Sequence, residues 1–300
     1  MIDAQDLWKT FGSRTALRGL NLSVPEGSAY ALIGVNGAGK TTAIRILMNI
    51  LEADCGRATM LGTESRRLSP RELAQIGYVS QNQGLPRSLT VADYLEFLRP
   101  FYPTWDRAFE SSLARTLRLP LDTPIGALSH GMRMKAALAC ALPYHPKLLV
   151  LDEPLSGLDA VVRDELMAAL LDQAGDTTIL IASHELSEIE GVATHAGFIE
   201  GGRMLFQESM TDLNGRFREV HITLDREAAP PARAPGDWLN LRTEGNVVMF
   251  VDSRFSEDRL RSEIAALPGA IRSVDARPMS LRSIFTALAL SSRDAAERRV

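Results

Sequence analysis

The chain has 300 residues, 45% hydrophobic and 23% charged, with a formal net charge of −4. That length can build one large or two modest domains, and the mild acidity argues against a nucleic-acid coat protein while allowing a local basic groove. Two cysteines, Cys55 and Cys140, are too few for a disulfide framework and match no metal-ligand spacing, which suits a reducing compartment. Residues 1–6 lack the basic and apolar regions of a secretory signal, and no apolar run approaches the roughly 18 residues of a membrane span. The expectation is a cytosolic, soluble chain.

Taken in order, residues 2–24 read as strand, with Leu20, Leu22 and Val24 alternating with Asn21 and Ser23 before the turn Pro25-Glu26-Gly27. Within this region Phe11 precedes a flexible Gly12, and its ring is either a stacking platform for a base or a core aromatic. Ser28–Ile33 is a buried strand, and Ala43–Met48 reads as helix. Between them Gly34-Val35-Asn36-Gly37-Ala38-Gly39-Lys40-Thr41-Thr42 fits the phosphate-binding pattern G-x-x-x-x-G-K-[ST]. A strand feeding a glycine loop and then a helix start aims backbone N–H groups and the positive dipole end at one spot. Lys40 adds a mobile charge for the β- and γ-phosphates, and the Thr41 hydroxyl is placed to ligate Mg²⁺.

Further along, Gly56–Gly62 is a short strand between glycines, Ser69-Pro70 is an N-cap followed by proline, and Ile76–Gln81 is a buried strand. Residues 82–88 form a loop. Thr90 to Leu119 is helical with breaks at Pro100 and Pro103, and Met132–Leu142 is an Ala- and Leu-rich helix that Pro143 ends. Lys147–Asp152 is the strongest strand, apolar until its final carboxylate and followed at once by Glu153-Pro154. Ala160–Ala174 is an amphipathic helix with Val162, Leu166, Ala169 and Leu170 on one side and Gly175 as its C-cap. Thr177–Ser183 is another buried strand, followed by His184, and Gly201-Gly202 joins two strands as a hairpin. Composition then shifts. Residues 228–236 are a Pro- and Ala-rich linker, around which His221–Leu224, Asn246–Val251 and Ile271–Ala276 read as strands, Glu257–Leu267 and Leu281–Leu290 as helices. This is a small α+β appendage starting near Phe217.

Strand and helix alternate through most of the chain, which predicts a parallel sheet whose ligands collect at the carboxyl ends of the strands. Those ends carry Gly34 with its loop, Gln81, Asp152-Glu153 and His184. Asp152 can hold Mg²⁺ beside Thr41, and Glu153 can polarise the water that attacks the γ-phosphorus. Gln81 is a metal ligand, a water-positioning group or a plain loop residue. His184 is a donor to a γ-phosphate oxygen or a satisfied surface histidine.

Gly34–Thr42, Gln81, Leu128-Ser129-His130-Gly131-Met132, Leu148–Pro154, Ser156-Gly157-Leu158-Asp159 and Ser183-His184 stand in the order and spacing of an ATP-binding cassette. The chain resembles the nucleotide-binding subunit of a bacterial ABC transporter over roughly residues 1–217, and is most similar to the export class with a short C-terminal extension. The resemblance implies an α/β fold with a P-loop NTPase core and mainly parallel sheet. It adds an N-terminal antiparallel β subdomain, a helical subdomain at about 82–145 that grips a membrane partner, and an accessory α+β domain at 218–300. It implies ATP and Mg²⁺ as cofactors, with Phe11 stacking on adenine and Gly34, Asn36, Gly37, Ala38, Gly39, Lys40, Thr41 and Thr42 around the phosphates. Thr41, Gln81 and Asp152 are the implied metal ligands, and Glu153, His184 and Gln81 the implied catalytic groups. Ser129, Gly131 and Asp159 would meet nucleotide across a head-to-tail dimer with a second copy or a paralogue, and a separate transmembrane permease would hold the pair at the inner membrane face. No nucleic acid is implied.

One segment departs from the family, whose usual signature is Leu-Ser-Gly-Gly-Gln where this chain has Leu128-Ser129-His130-Gly131-Met132. Ser129 and Gly131 keep the hydroxyl and backbone donor at a helix start. Met132 removes a polar contact and His130 adds bulk. The rivals are a translation-associated protein with two cassettes in one chain, a chromosome-maintenance ATPase with a long heptad insertion, and a nucleotide sensor that does not hydrolyse. The chain has one cassette and no such insertion, and it keeps Glu153 and His184.

Overall fold

The structure, a computed structural model, describes residues 1–81, 83–172, 177–184, 189–228, 235–265, 267 and 269–297. In chain order its elements are β1 (Ile2–Phe11), β2 (Arg14–Val24), β3 (Ala29–Ile33), α1 (Lys40–Leu47), β4 (Cys55–Met60), β5 (Thr63–Glu64), α2 (Pro70–Leu73), β6 (Ile76–Ser80) and α3 (Val91–Leu98). There follow α4 (Arg107–Thr116), α5 (His130–Ala141), β7 (Leu148–Asp152), α6 (Ala160–Leu171), β8 (Thr178–Ser183), β9 (His195–Glu200) and β10 (Arg203–Ser209). The remainder is α7 (Met210–Arg216), β11 (Arg218–Leu224), β12 (Trp238–Glu244), β13 (Val247–Asp252), α8 (Glu257–Ile264), β14 (Ile271–Pro278) and α9 (Leu281–Glu297). The chain divides into two compact units, Met1–Gln207 and Glu208–Val300.

In the first unit an antiparallel sheet has the order β2-β1-β4-β5, and a six-stranded sheet the order β10-β9-β3-β8-β7-β6. Within the larger sheet β9, β3, β8, β7 and β6 pair in parallel. Their runs are apolar because helix and sheet cover both faces: β3, β7 and β8 are buried at every position. The β9–β10 turn is made by Gly201 and Gly202, both at positive φ (54° and 80°), the left-handed pair that a two-residue hairpin demands. One core cluster joins Leu7, Leu20 and Met60 of the antiparallel sheet, Ile44 and Leu47 of α1, and Leu32, Val150 and Leu180 of the larger sheet. This places α1 against both sheets and fixes its N-terminus at the edge where β3 ends.

Capping chemistry sets the helix starts. Ser69 accepts a backbone N–H and Glu72 returns a bond to the Ser69 N–H, closing a capping box before Pro70. Thr90, Asp106, Ser129 and Asp159 cap α3, α4, α5 and α6 through their side chains. The break expected at Pro100 is a 3₁₀ turn, Arg99–Phe101, with the proline at its second residue. Helix α6 is shorter than expected: its apolar stripe closes at Leu170, exposed Asp172 is its C-cap, and Gly175 lies outside the described residues.

The second unit has a four-stranded antiparallel sheet, order β12-β13-β11-β14, with Val220, Ile222, Trp238, Val248 and Phe250 packed on Leu260 and Ile264 of α8. The division falls before Glu208, ten residues ahead of the expected 217/218 boundary. The reason is local: Arg216 holds Glu208 through paired contacts of 2.7 and 2.6 Å and also donates to the Ser253 carbonyl at 2.8 Å. These bonds tie α7 to the end of β13. Strand β12 was not expected from the sequence, because a register shift between Leu239 and Arg242, with Asn240 at φ 52°, interrupts its alternation. The linker centre, residues 229–234, lies outside the described residues.

Candidate active site

Because β3, β6, β7 and β8 run parallel, the residues that succeed them share one edge. Register aligns Ile33 with Ser183, Ser80 with Asp152 and Asp152 with Ala182, so Gly34, Gln81, Glu153 and His184 all leave the sheet at one level. Gly34 admits no side chain, since a Cβ would sit 2.3 Å from the Ile199 carbonyl oxygen. Gly39, at φ 114°, is the N-cap of α1 with no capping side chain, and the first turn of α1 contains no acid. The N–H groups at that helix start are left for an external anion.

Lys40 is 5% exposed and folds back over the loop, donating to the Gly34 carbonyl at 2.6 Å and the Val35 carbonyl at 3.3 Å. Its Nζ also lies 3.0 Å from Glu153 Oε1, while Glu153 Oε2 is 2.6 Å from His184 Nδ1. A buried ammonium needs such partners. Glu153 takes φ 54°, uncommon for a residue with a Cβ, and its N–H bonds the Ala182 carbonyl at 3.0 Å. Thr41 donates its hydroxyl to Asp152 Oδ1 at 2.9 Å. Burial pushes the Asp152 carboxyl above its ordinary value; the Thr41 hydrogen bond opposes the rise and the Glu153 charge adds to it.

A cleft of about 440 Å³ opens on this set, lined by Phe11, Arg14, Ala16, Asn36, Gly37, Gly39, Lys40, Thr41, Thr42, Gln81 and Glu153. Phe11 is 49% exposed at its rim, which excludes the core reading of that ring, and Lys9 Nζ sits 5.6 Å from the ring centroid. Within the loop Ala38 is buried, while Asp152 contacts Thr41 and His184 contacts Glu153. Gln81 donates to Ser156 Oγ at 3.3 Å.

The fold does not bring Ser129, Gly131 and Asp159 to this cleft. Ser129 accepts the Met132 N–H at the start of α5, and Asp159 accepts the Val162 N–H at the start of α6. These two helix starts meet each other: a Cβ on Gly131 would lie 3.0 Å from Val162 Cγ1, and the His130 ring reaches the Ser156 carbonyl at 3.2 Å. Ser156 thus touches both the Leu128–Met132 segment and Gln81. Two lining residues escaped the sequence reading, Arg14 and Ala16. The available signal for Arg14 was its place two residues beyond Gly12, across a tight turn from Phe11.

A domain model described as ABC transporter matches residues 17–156. The daunorubicin resistance ATP-binding protein DrrA2 of Streptomyces coeruleorubidus is 36% identical over 241 residues, covering 76% of this chain and 74% of that protein. The chain belongs to the ATP-binding subunits of ABC transporters. The bacitracin transport ATP-binding protein BcrA of Enterococcus faecalis is 26% identical over 295 residues, 96% of each chain, so its likeness reaches through the second unit. A solved ATP-binding subunit of an ABC transporter matches with TM-score 0.65 at 25% identity, over 72% of this chain and 92% of that one. ABC subunits bind and hydrolyse ATP, and the cleft below Phe11 is where this chain's phosphate loop lies. Among the described residues no helix is long and apolar enough to cross a membrane.

Proposed function

We propose that this ABC subunit powers an exporter from the cytoplasmic membrane face, through a separate permease, by Mg²⁺-dependent ATP hydrolysis in a head-to-tail pair of cassettes. Export is favoured by the relatives named for drug resistance and bacitracin transport, the second matching along nearly its whole length. The single observation that carries hydrolysis is Glu153: its carboxylate stands in the phosphate cleft, held between Lys40 and His184.

The phosphates take the Gly34–Thr42 loop and the open N–H groups of α1, with the base against Phe11. A γ-phosphate entering the loop competes with Glu153 for the Lys40 ammonium. Once Lys40 turns to phosphate, Glu153 is released to accept a proton from the attacking water, and His184 holds its orientation through the Nδ1 contact. The oxygens of Thr41 and Asp152, with Gln81 nearby, form a hard donor set suited to Mg²⁺, which when bound neutralises charge on the phosphate oxygens. Ser129 and Gly131, at an exposed helix start, serve the nucleotide of the second cassette, and the Ser156–Asp159 loop joins the two sites. The half-exposed Phe97 and Phe101 of residues 82–145 face the permease.

Glu153→Gln tests this reading. It should bind ATP, lose at least about a hundredfold in turnover, and accumulate as an ATP-bound dimer in size-exclusion chromatography. Turnover near that of the unaltered protein would remove Glu153 as the base.

A further inference from the structure

The cleft holds a cation that the phosphate loop does not supply. Arg14 opens β2 and pairs directly with Phe11, the last residue of β1, across a turn in which Gly12 takes φ 55°. Residues directly opposite in an antiparallel pair project from the same face, with Cβ atoms roughly 5 Å apart. One hairpin tip therefore presents an aromatic side chain and a guanidinium side chain from the same face, both lining the cleft. Arg14 Nη2 donates to the Gly37 carbonyl at 3.2 Å, and a Cβ on Gly37 would come within 2.7 Å of that nitrogen, so the guanidinium meets the loop end-on through one nitrogen. Gly37, at φ 82°, is the glycine that lets it approach.

Its charge is uncommitted. Lys40 is paired with Glu153, but among the described residues Arg14 has only a neutral carbonyl as partner. A guanidinium has five N–H donors in a planar fork suited to phosphate oxygens, and a single carbonyl occupies one of them.

We propose that Arg14 binds the phosphate chain of the nucleotide at its ribose end, forming with Phe11 a two-point clamp on the base side of the cleft. The proposal rests on the nucleotide reading of this cleft and adds a binding residue outside the phosphate loop. A phosphate brings an opposite charge and can accept two parallel N–H bonds from the guanidinium, so the contact contributes more than the single bond to the neutral Gly37 carbonyl.

The test separates charge from hydrogen-bond donation. Arg14→Gln keeps an N–H donor for the Gly37 carbonyl but loses the charge, whereas Arg14→Lys keeps the charge. Dissociation constants for ATP and ADP, measured by calorimetry at low and high ionic strength, should rise about tenfold in Arg14→Gln, equally for both nucleotides, with a flatter salt dependence. Arg14→Lys should recover most of the loss. Wild-type affinity in Arg14→Gln, equal losses in both variants, or a loss confined to ATP would each overturn the proposal. Lys40→Ala is the separate control: unchanged ATP affinity there would sink the nucleotide reading itself, whatever Arg14 does.

Discussion

At the scale of single residues, the site is organised by what each charge faces in the folded chain. Lys40 and Glu153 neutralise one another at 3.0 Å, which keeps a buried ammonium paired. Phe11 is a different case, because its value lies in exposure. Lys9 stands over the ring and is itself held by Asp54 at 2.8 Å; in the proposed reading the base takes the ring's other face. Stacking on an aromatic ring contributes about 1–3 kcal/mol per base. Phe11→Ala should therefore weaken ATP by roughly tenfold or more while leaving inorganic triphosphate unaffected, as measured by calorimetry. Equal losses for the two ligands would mean that the ring only shapes the loop.

Elements act by delivering these residues to one edge. Four parallel strands end together because their ladders run without bulges from Ala29 to Ile33 and from Leu148 to Asp152. Among the helices, the 3₁₀ turn Arg99–Phe101 is anchored to α4 by Glu110, which accepts from Arg99 Nε and Nη2 at 2.9 and 2.7 Å and from Trp105 Nε1 at 2.7 Å. Burial alone would raise the Glu110 carboxyl, but the Arg99 and Trp105 hydrogen bonds and the Arg99 charge hold it below its ordinary value. A carboxyl depressed in the folded state adds stability above its unfolded value, about 4.3, and loses it as pH falls through the folded value. Glu110→Gln should thus cost about 2 kcal/mol at pH 7, read from urea midpoints, and the difference should close progressively as the pH falls below about 4. A gap independent of pH would show that shape, not charge, makes this contact.

Viewed whole, the molecule combines a nucleotide-handling unit with a second unit that has its own core of Val220, Ile222, Trp238, Phe250, Leu260 and Ile264. Among the described residues, those that line the cleft all belong to the first unit. The role of the second unit is proposed to be support of dimerisation. A chain ending at Ser209, carrying Glu153→Gln, should keep its ATP affinity within about twofold but dimerise about tenfold more weakly in sedimentation experiments. Unchanged dimerisation would remove that role.

Local patterns decided much of this protein from the sequence alone. The phosphate loop, the buried strands that precede Gly34, Gln81, Asp152-Glu153 and His184, and the cap at Ser69 depend on neighbours within a few residues, so they are written in the linear order. Contacts between distant residues needed the fold. Whether Phe11 was core or rim depended on where the β1–β2 hairpin tip lies, and Arg14 became a site residue only through its register opposite Phe11. The bond from His130 to the Ser156 carbonyl, which occupies the ring that departs from the family signature, results from α5 and α6 starting side by side. The division before Glu208 came from an arginine eight residues further on. Periodicity names the elements, because it reports which face is buried; only packing assigns the partners, because register and charge pairing are set between segments far apart in the chain.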